Sequence, residues 1–399
     1  MIVSKRAAGI QESLTLAITA KAKKLNDEGV SVVSFGAGEP DCNTPDYIVD
    51  AAKRALDKGY TKYTPSSGIQ GLRQAICDKL KRDNGLTYEP KQVIVSNGAK
   101  HSLYNAMLAI VNPGDQVILP APYWLTYPEL VMLCGGIPKY VKTKESDGFK
   151  MTAEQLKKAI GPKTKALILN SPSNPTGAVY SKNELCALAK VIEETGIYVI
   201  ADEIYEKLIY KGSHYSIAQY SQKLYDQTIL VNGMSKSYSM TGWRVGYLAA
   251  PANVAKAIDG VQSHTTSNPN SIAQYAALAA LKEEAEEKAF VGKMAAVFDT
   301  RRKYMIARLK KMKAVSYYEP DGAFYVMVKV KKIFGKSAGG KLMMSAQNVA
   351  EQLLDVAHVA AVPGEAFGAP EYLRLSYCMS DKDIAEGLDR IEAFLKETK

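Results

Sequence analysis

YVIAD, residues 198–202, is a short apolar run that ends abruptly in an acid. Comparable runs lie along the chain on both sides of it: QVILP at 116–120, KALILN at 165–170 and TILVN at 228–232. Helical spacing of apolar residues marks 46–58, 69–84, 98–111 and 181–195. Short, nearly continuous apolar strands alternating with helices predict a parallel sheet covered on both faces, the α/β class. After about residue 280 the texture changes. A long charged helix over roughly 282–312 leads to GAFYVMVKV, a glycine-rich loop GKSAGG, another helix, and then AAVPGEAFG and YLRLSY. That order reads as a smaller α+β unit. No internal repeat and no low-complexity segment interrupts the chain.

Bulk properties narrow the chemistry. A chain of 399 residues, 47% hydrophobic and 23% charged, has the profile of a globular protein large enough for two domains. No apolar run approaches the roughly 20 residues of a membrane helix. SKR before SLTLAITAKA resembles the start of a leader, but the apolar part is short, rich in hydroxyls and preceded by Glu12, so a cleaved signal is not expected. Five scattered cysteines without a CxxC pair predict reduced thiols and a cytoplasmic setting. The net charge of +10 is dispersed, with no recognition module beside it. It suits anionic small molecules better than nucleic acid.

Several motifs fail on their spacing. GKS at 335–337 has Val330 where a P-loop needs its first glycine, so a mobile connector is expected there. GAG at 36–38 lacks the third glycine of a dinucleotide fingerprint. There is no GxSxG elbow, and the four histidines form no metal pair.

What survives is polar residues at strand ends, where open α/β sheets bind ligands. KALILN runs into SPSNPTG and so places Asn174 just past a strand; YVIAD ends in Asp202, with Tyr205 following; TILVN leads to Ser235 and Lys236. Singly, Asp202 reads as well as a helix cap, Asn174 as a turn residue and Lys236 as a surface charge. Together they would bring an amide, a carboxylate, a phenol and an amine to one edge. A lysine of lowered pKa forms a Schiff base with an aldehyde cofactor, and a buried carboxylate keeps a pyridine nitrogen protonated. Pyridoxal 5′-phosphate needs both. Asn174 and Tyr205 could donate to its phenolic oxygen. Ser235, Arg244 and the amides of Gly98, Ala99 and Lys100, where a helix begins, could take its phosphate. Trp124, in PAPYW after another strand, could stack on its ring.

GMSKSYSMTGWRVG resembles the cofactor-attachment signature of the class I aminotransferases. GAGEPD, KYTPSSGIQGLR, SNGAKHSLYNA, PAPYW, NSPSNPTGAVY, ADEIYE, VPGEAFG and YLRLSY resemble that family's landmarks in their usual order, over essentially the whole chain. The nearest resemblance is to the bacterial aspartate aminotransferases that carry NSPxNPTG and MTGWR. It implies the fold type I of pyridoxal-phosphate transferases: an N-terminal segment over 1–45, a large cofactor domain over 46–285, and a small domain over 286–399 that the segment joins.

The resemblance also implies roles. Lys236 carries the cofactor and shuttles the substrate proton; Asp202 pairs with the ring nitrogen; Arg374 clamps the substrate α-carboxylate with Asn174 and the backbone of Gly38. Trp124 flanks both cofactor and substrate. Tyr63 reaches the phosphate of a neighbouring subunit, which implies a homodimer. Read without the resemblance, Arg374 would be a surface ion pair and Tyr63 a core residue. The implied reaction is ping-pong amino transfer from L-aspartate to 2-oxoglutarate. Lys100 is the candidate for the distal carboxylate, and a plain surface lysine fits it nearly as well. Gln11, Ser13 and Thr15 fall where similar enzymes cover the site, so prephenate or aromatic substrates stay open. A β-lyase on the same fold and a non-catalytic regulator are the remaining alternatives. One departure stands out: Gly233 occupies a place where some relatives have serine.

Overall fold

The computed structural model describes residues 3–10 and 14–399. Seven strands form the main sheet: β1 (Val93–Ser96), β2 (Gln116–Ala121), β3 (Ile137–Lys142), β4 (Thr164–Asn170), β5 (Tyr198–Asp202), β6 (Thr228–Gly233) and β7 (Gly246–Ala249). Their order is β1-β7-β6-β5-β4-β2-β3. All neighbours are parallel except β7, which runs against both β1 and β6.

The predicted burial on two faces follows from the alternation within the strands. Ile168 and Ile200 point into a core shared with the helices at 99–110, 126–133 and 252–265. Leu167, Leu169, Val199 and Ala201 point the other way, against the helices at 153–159 and 182–195. The last of these starts with a capping box: Ser181 Oγ accepts from the Glu184 amide, and the Glu184 carboxylate accepts from the Ser181 amide.

A second, four-stranded antiparallel sheet is built from 316–318, 325–329, 362–363 and 372–376. It packs with the helices Glu284–Leu309, Ala346–Ala357 and Asp381–Glu397 around a separate core. Val33 and Phe35 of the N-terminal segment belong to this core. Val33 and Ser34 pair in parallel with Val359 and Ala360, and Phe35 is completely buried. Gly387 makes room for it, since a Cβ there would lie 2.4 Å from the Phe35 ring.

The expected connector at GKSAGG is instead a β-hairpin: Lys336–Ala338 pairs with Lys341–Met343 across Gly339 and Gly340, both at positive φ. Two adjacent left-handed residues make the tight turn that matches strand twist, and a Gly-Gly pair supplies both without strain. No helix among the described residues is long and apolar enough to cross a membrane.

Phe35→Ala is predicted to destabilise the protein by about 3–5 kcal/mol, the usual cost of emptying an aromatic core site. Denaturant unfolding checks this, and a loss below about 1 kcal/mol would mean that the N-terminal segment is not anchored through Phe35.

Candidate active site

Register brings the strand ends level. Asn170 of β4 lies opposite Asp202 of β5, and Asp202 lies opposite Val231 of β6. The chain leaves β6 through Gly233 and enters a single helical turn, Met234–Ser237, that carries Lys236. Gly233 has no room for a side chain, because a Cβ would meet Gly246 Cα at 2.9 Å and the Val245 carbonyl oxygen at 3.0 Å. The departure at this position is therefore a packing requirement of β6 against β7.

These ends open into a cavity of about 340 Å³. Gly38, Ala99, Lys100, Trp124, Asn174, Asp202, Tyr205, Ser235, Lys236, Arg244 and Arg374 all line it. Gly98 sits directly behind Arg244; at φ +83° its missing Cβ would fall 2.5 Å from the guanidinium. The backbone of Gly98 and Ala99 also presses on Gly246, where any Cβ would overlap the Ala99 nitrogen. Three segments thus meet backbone to backbone at the start of the helix Ala99–Ile110, whose first amides have no acceptor within the helix.

Asp202 is 3% exposed. Its Oδ2 accepts from the Tyr127 hydroxyl at 2.7 Å and its Oδ1 from the Ile204 amide at 3.2 Å. Burial pushes its pKa up to about 6 against the opposing pull of these two donors. The helix-cap alternative is excluded, because residues 204–207 form a turn. Lys236 Nζ donates to the Gly38 carbonyl at 2.5 Å. Desolvation lowers its pKa to about 8, so a fraction of the amine is neutral near pH 7.

Arg374 is 2% exposed, not on the surface. Its Nη1 donates to Asn174 Oδ1 at 3.0 Å and its Nη2 to the Gly36 carbonyl at 3.1 Å, while its buried Nε has no partner among the described residues. Asn174 sits in a turn and also lines the cavity, so both readings of it hold. Asn170 braces that turn, accepting from the Asn174 amide at 2.8 Å and donating to the Asp202 carbonyl at 2.9 Å.

Lys100 is exposed at the cavity edge with Nζ 5.1 Å from the Trp124 ring centre. Desolvation lowers its pKa, and the nearby Arg244 adds to the effect. Tyr63 is 89% exposed and lies apart from this cavity, beside residues 266–271, so the core alternative fails. Gln11 and Ser13 fall outside the described residues, as does the side chain of Thr15.

Sequence reasoning missed Asn170, Tyr127 and Tyr325. Asn170 had a signal, because it ends its apolar run as Asp202 ends the next. The two tyrosines had none: among 24 tyrosines in the chain, nothing local separates them from core residues.

The family model for aminotransferase class I and II matches residues 30–391. An aspartate aminotransferase of Bacillus subtilis (strain 168) is 47% identical over 398 residues, 100% of both chains. A probable aspartate/prephenate aminotransferase of Aquifex aeolicus (strain VF5) is 45% identical over 396 residues, 99% of each chain. Among solved structures, the aspartate aminotransferase from Thermus thermophilus with maleate is similar with a TM-score of 0.94 at 41% identity, covering 99% of this chain and 100% of that one. The aspartate aminotransferase from Rhizobium meliloti has a TM-score of 0.96 at 39% identity, with 100% of both chains covered.

Tyr127→Phe removes a donor to ionised Asp202 and is predicted to raise the Asp202 midpoint above 6, by about 1 unit. Carboxyl 13C NMR titration of the cofactor-free protein checks this; an unchanged or lowered midpoint would contradict it.

Proposed function

Because this chain belongs to the aminotransferase class I and II family, we propose that it is a pyridoxal-phosphate-dependent aspartate aminotransferase. It transfers the amino group of L-aspartate to 2-oxoglutarate in a ping-pong cycle, giving oxaloacetate and L-glutamate. The observation that carries this reading is one cavity joining a buried carboxylate, a lysine of lowered pKa and a buried arginine with an open Nε.

The residues fit the cofactor. Lys236 Nζ would hold it covalently, and Asp202 would pair with its ring nitrogen. Asn174 and Tyr205 would donate to its phenolic oxygen, with Trp124 against the ring. Ser235, Arg244 and the backbone amides at Gly98, Ala99 and Lys100 would take the phosphate, where tight glycine packing keeps side chains away. When bound, pyridoxal phosphate supplies an aldehyde that condenses with amines and a protonated ring that withdraws electrons from the substrate Cα.

The chain's own residues do the rest. Arg374 offers its Nε to the substrate α-carboxylate while Asn174 and Gly36 keep the guanidinium fixed. Lys236, neutral above about pH 8, is the base that takes the Cα proton and returns it. Lys100 at the cavity edge would meet a distal carboxylate. The Gly38 carbonyl holds the Lys236 amine until that amine is engaged.

The same reading divides the chain into an N-terminal segment (1–45), a large domain (46–285) and a small domain (286–399) that closes over substrate and expels water. The core around the second sheet is distinct from the cores on the two faces of the main sheet, which supports it. Exposed Tyr63 is assigned to a neighbouring subunit's phosphate, making the protein a homodimer. Free cysteines throughout the described residues suit a cytoplasmic setting.

A panel of aspartate, prephenate, tyrosine and alanine tests the assignment, with 2-oxoglutarate as acceptor for the amino acids and an amino donor supplied for prephenate. Aspartate is predicted to turn over fastest, and Arg374→Lys to lower its kcat/KM by roughly 100-fold or more through loss of planar carboxylate recognition. Turnover of tyrosine or alanine in preference to aspartate would overturn the substrate; full activity in the variant would overturn the clamp.

A further inference from the structure

We propose that the Tyr325 hydroxyl is a positioning group that acts through Tyr205: it donates a hydrogen bond to the Tyr205 oxygen and so frees the Tyr205 proton to point into the cavity. The proposal rests on the reading of Tyr205 as a donor to the cofactor's phenolic oxygen.

Tyr325 opens the strand 325–329, which pairs with 372–376 so that Met327 faces Arg374. Tyr325 therefore lies diagonally beside Arg374 on the same face of the sheet. The Tyr325 and Tyr205 oxygens are 3.0 Å apart, with the rings edge to face at 81°. Both side chains are buried, and both line the cavity. A Cβ on Gly38 would lie 3.2 Å from the Tyr325 oxygen, so the bare backbone there packs against that hydroxyl.

Two hydroxyls at this distance share one proton, and the other proton must point elsewhere. With Tyr205 spending its own proton on the cofactor's phenolic oxygen, the proton between the two hydroxyls must come from Tyr325. The Arg374 guanidinium carbon lies 4.4 Å from the Tyr325 ring centre, and a cation placed there favours loss of proton density from that phenol. The bond therefore runs from Tyr325 to Tyr205, and Arg374, besides facing the substrate, favours that direction. An accepted hydrogen bond polarises the Tyr205 hydroxyl and makes it a stronger donor.

A double-mutant cycle on the holoenzyme tests the proposal, read as the absorbance titration midpoint of the Lys236–cofactor linkage. A donor to the phenolic oxygen stabilises the more negative state, so weakening it raises the midpoint. Tyr205→Phe is expected to raise it by about 1 unit and Tyr325→Phe by about half as much. The double variant is expected to match Tyr205→Phe alone, because Tyr325 then has nothing to act through. Asp202, Arg374, Arg244, Glu39 and Cys378 also bear on this titration, and the cycle leaves all of them in place. No shift in Tyr325→Phe, or a shift that adds fully to that of Tyr205→Phe, overturns the proposal while leaving the cofactor reading intact. A wild-type protein that takes up no pyridoxal phosphate overturns both.

Discussion

A carboxylate buried at the end of a central strand is the constraint around which the rest is arranged. Removing Asp202 from water is costly, and unpaired burial of such a charge is ordinarily avoided. Two donors, the Tyr127 hydroxyl and the Ile204 amide, reduce that cost without removing it, which is why its pKa remains raised to about 6. A site that holds a half-satisfied acid is prepared for a cationic or protonated partner. Everything near it converges on the same space: the Asn170 amide bracing the Asn174 turn, the short turn that presents Lys236, and Arg374 from the second sheet.

That convergence depends on backbone contacts that side chains would prevent. Gly233, Gly246 and Gly98 allow β6, β7 and the start of the helix at 99–110 to touch. Across the cavity, the segment after Phe35 is tied to the lysine turn. Thr241 donates to Glu39 at 2.6 Å, Thr44 to the Ser239 carbonyl at 2.7 Å, and Trp243 Nε1 to Thr44 at 3.0 Å. The same segment supplies the carbonyls of Gly36 and Gly38 to Arg374 and Lys236. Since Phe35 is buried in the C-terminal core, the first strand of the chain links that core to the cavity edge.

The sheet was legible in the sequence because its strands are apolar on both faces, and that burial leaves a pattern that short runs display directly. Asp202 and Lys236 were legible because each ends or follows such a run. The environments of Arg374 and Tyr63 were not readable from the residues themselves. In isolation their environments would have been assigned the wrong way round, one to the surface and the other to a core. Tyr127 and Tyr325 were not legible at all, because their meaning lies in contacts with residues 75 and 120 positions away. The hairpin at 336–343 was hidden for a different reason: a Gly-Gly turn and a phosphate loop share glycine, and only the pairing of the flanking strands distinguishes them.

Identification of the lysine that holds the cofactor tests the central claim most directly. The holoenzyme would be reduced with borohydride, digested, and its peptides mapped by mass spectrometry. The account predicts the cofactor's mass on Lys236 and on no other lysine. Label on Lys100 or elsewhere, or an unlabelled Lys236, would contradict it.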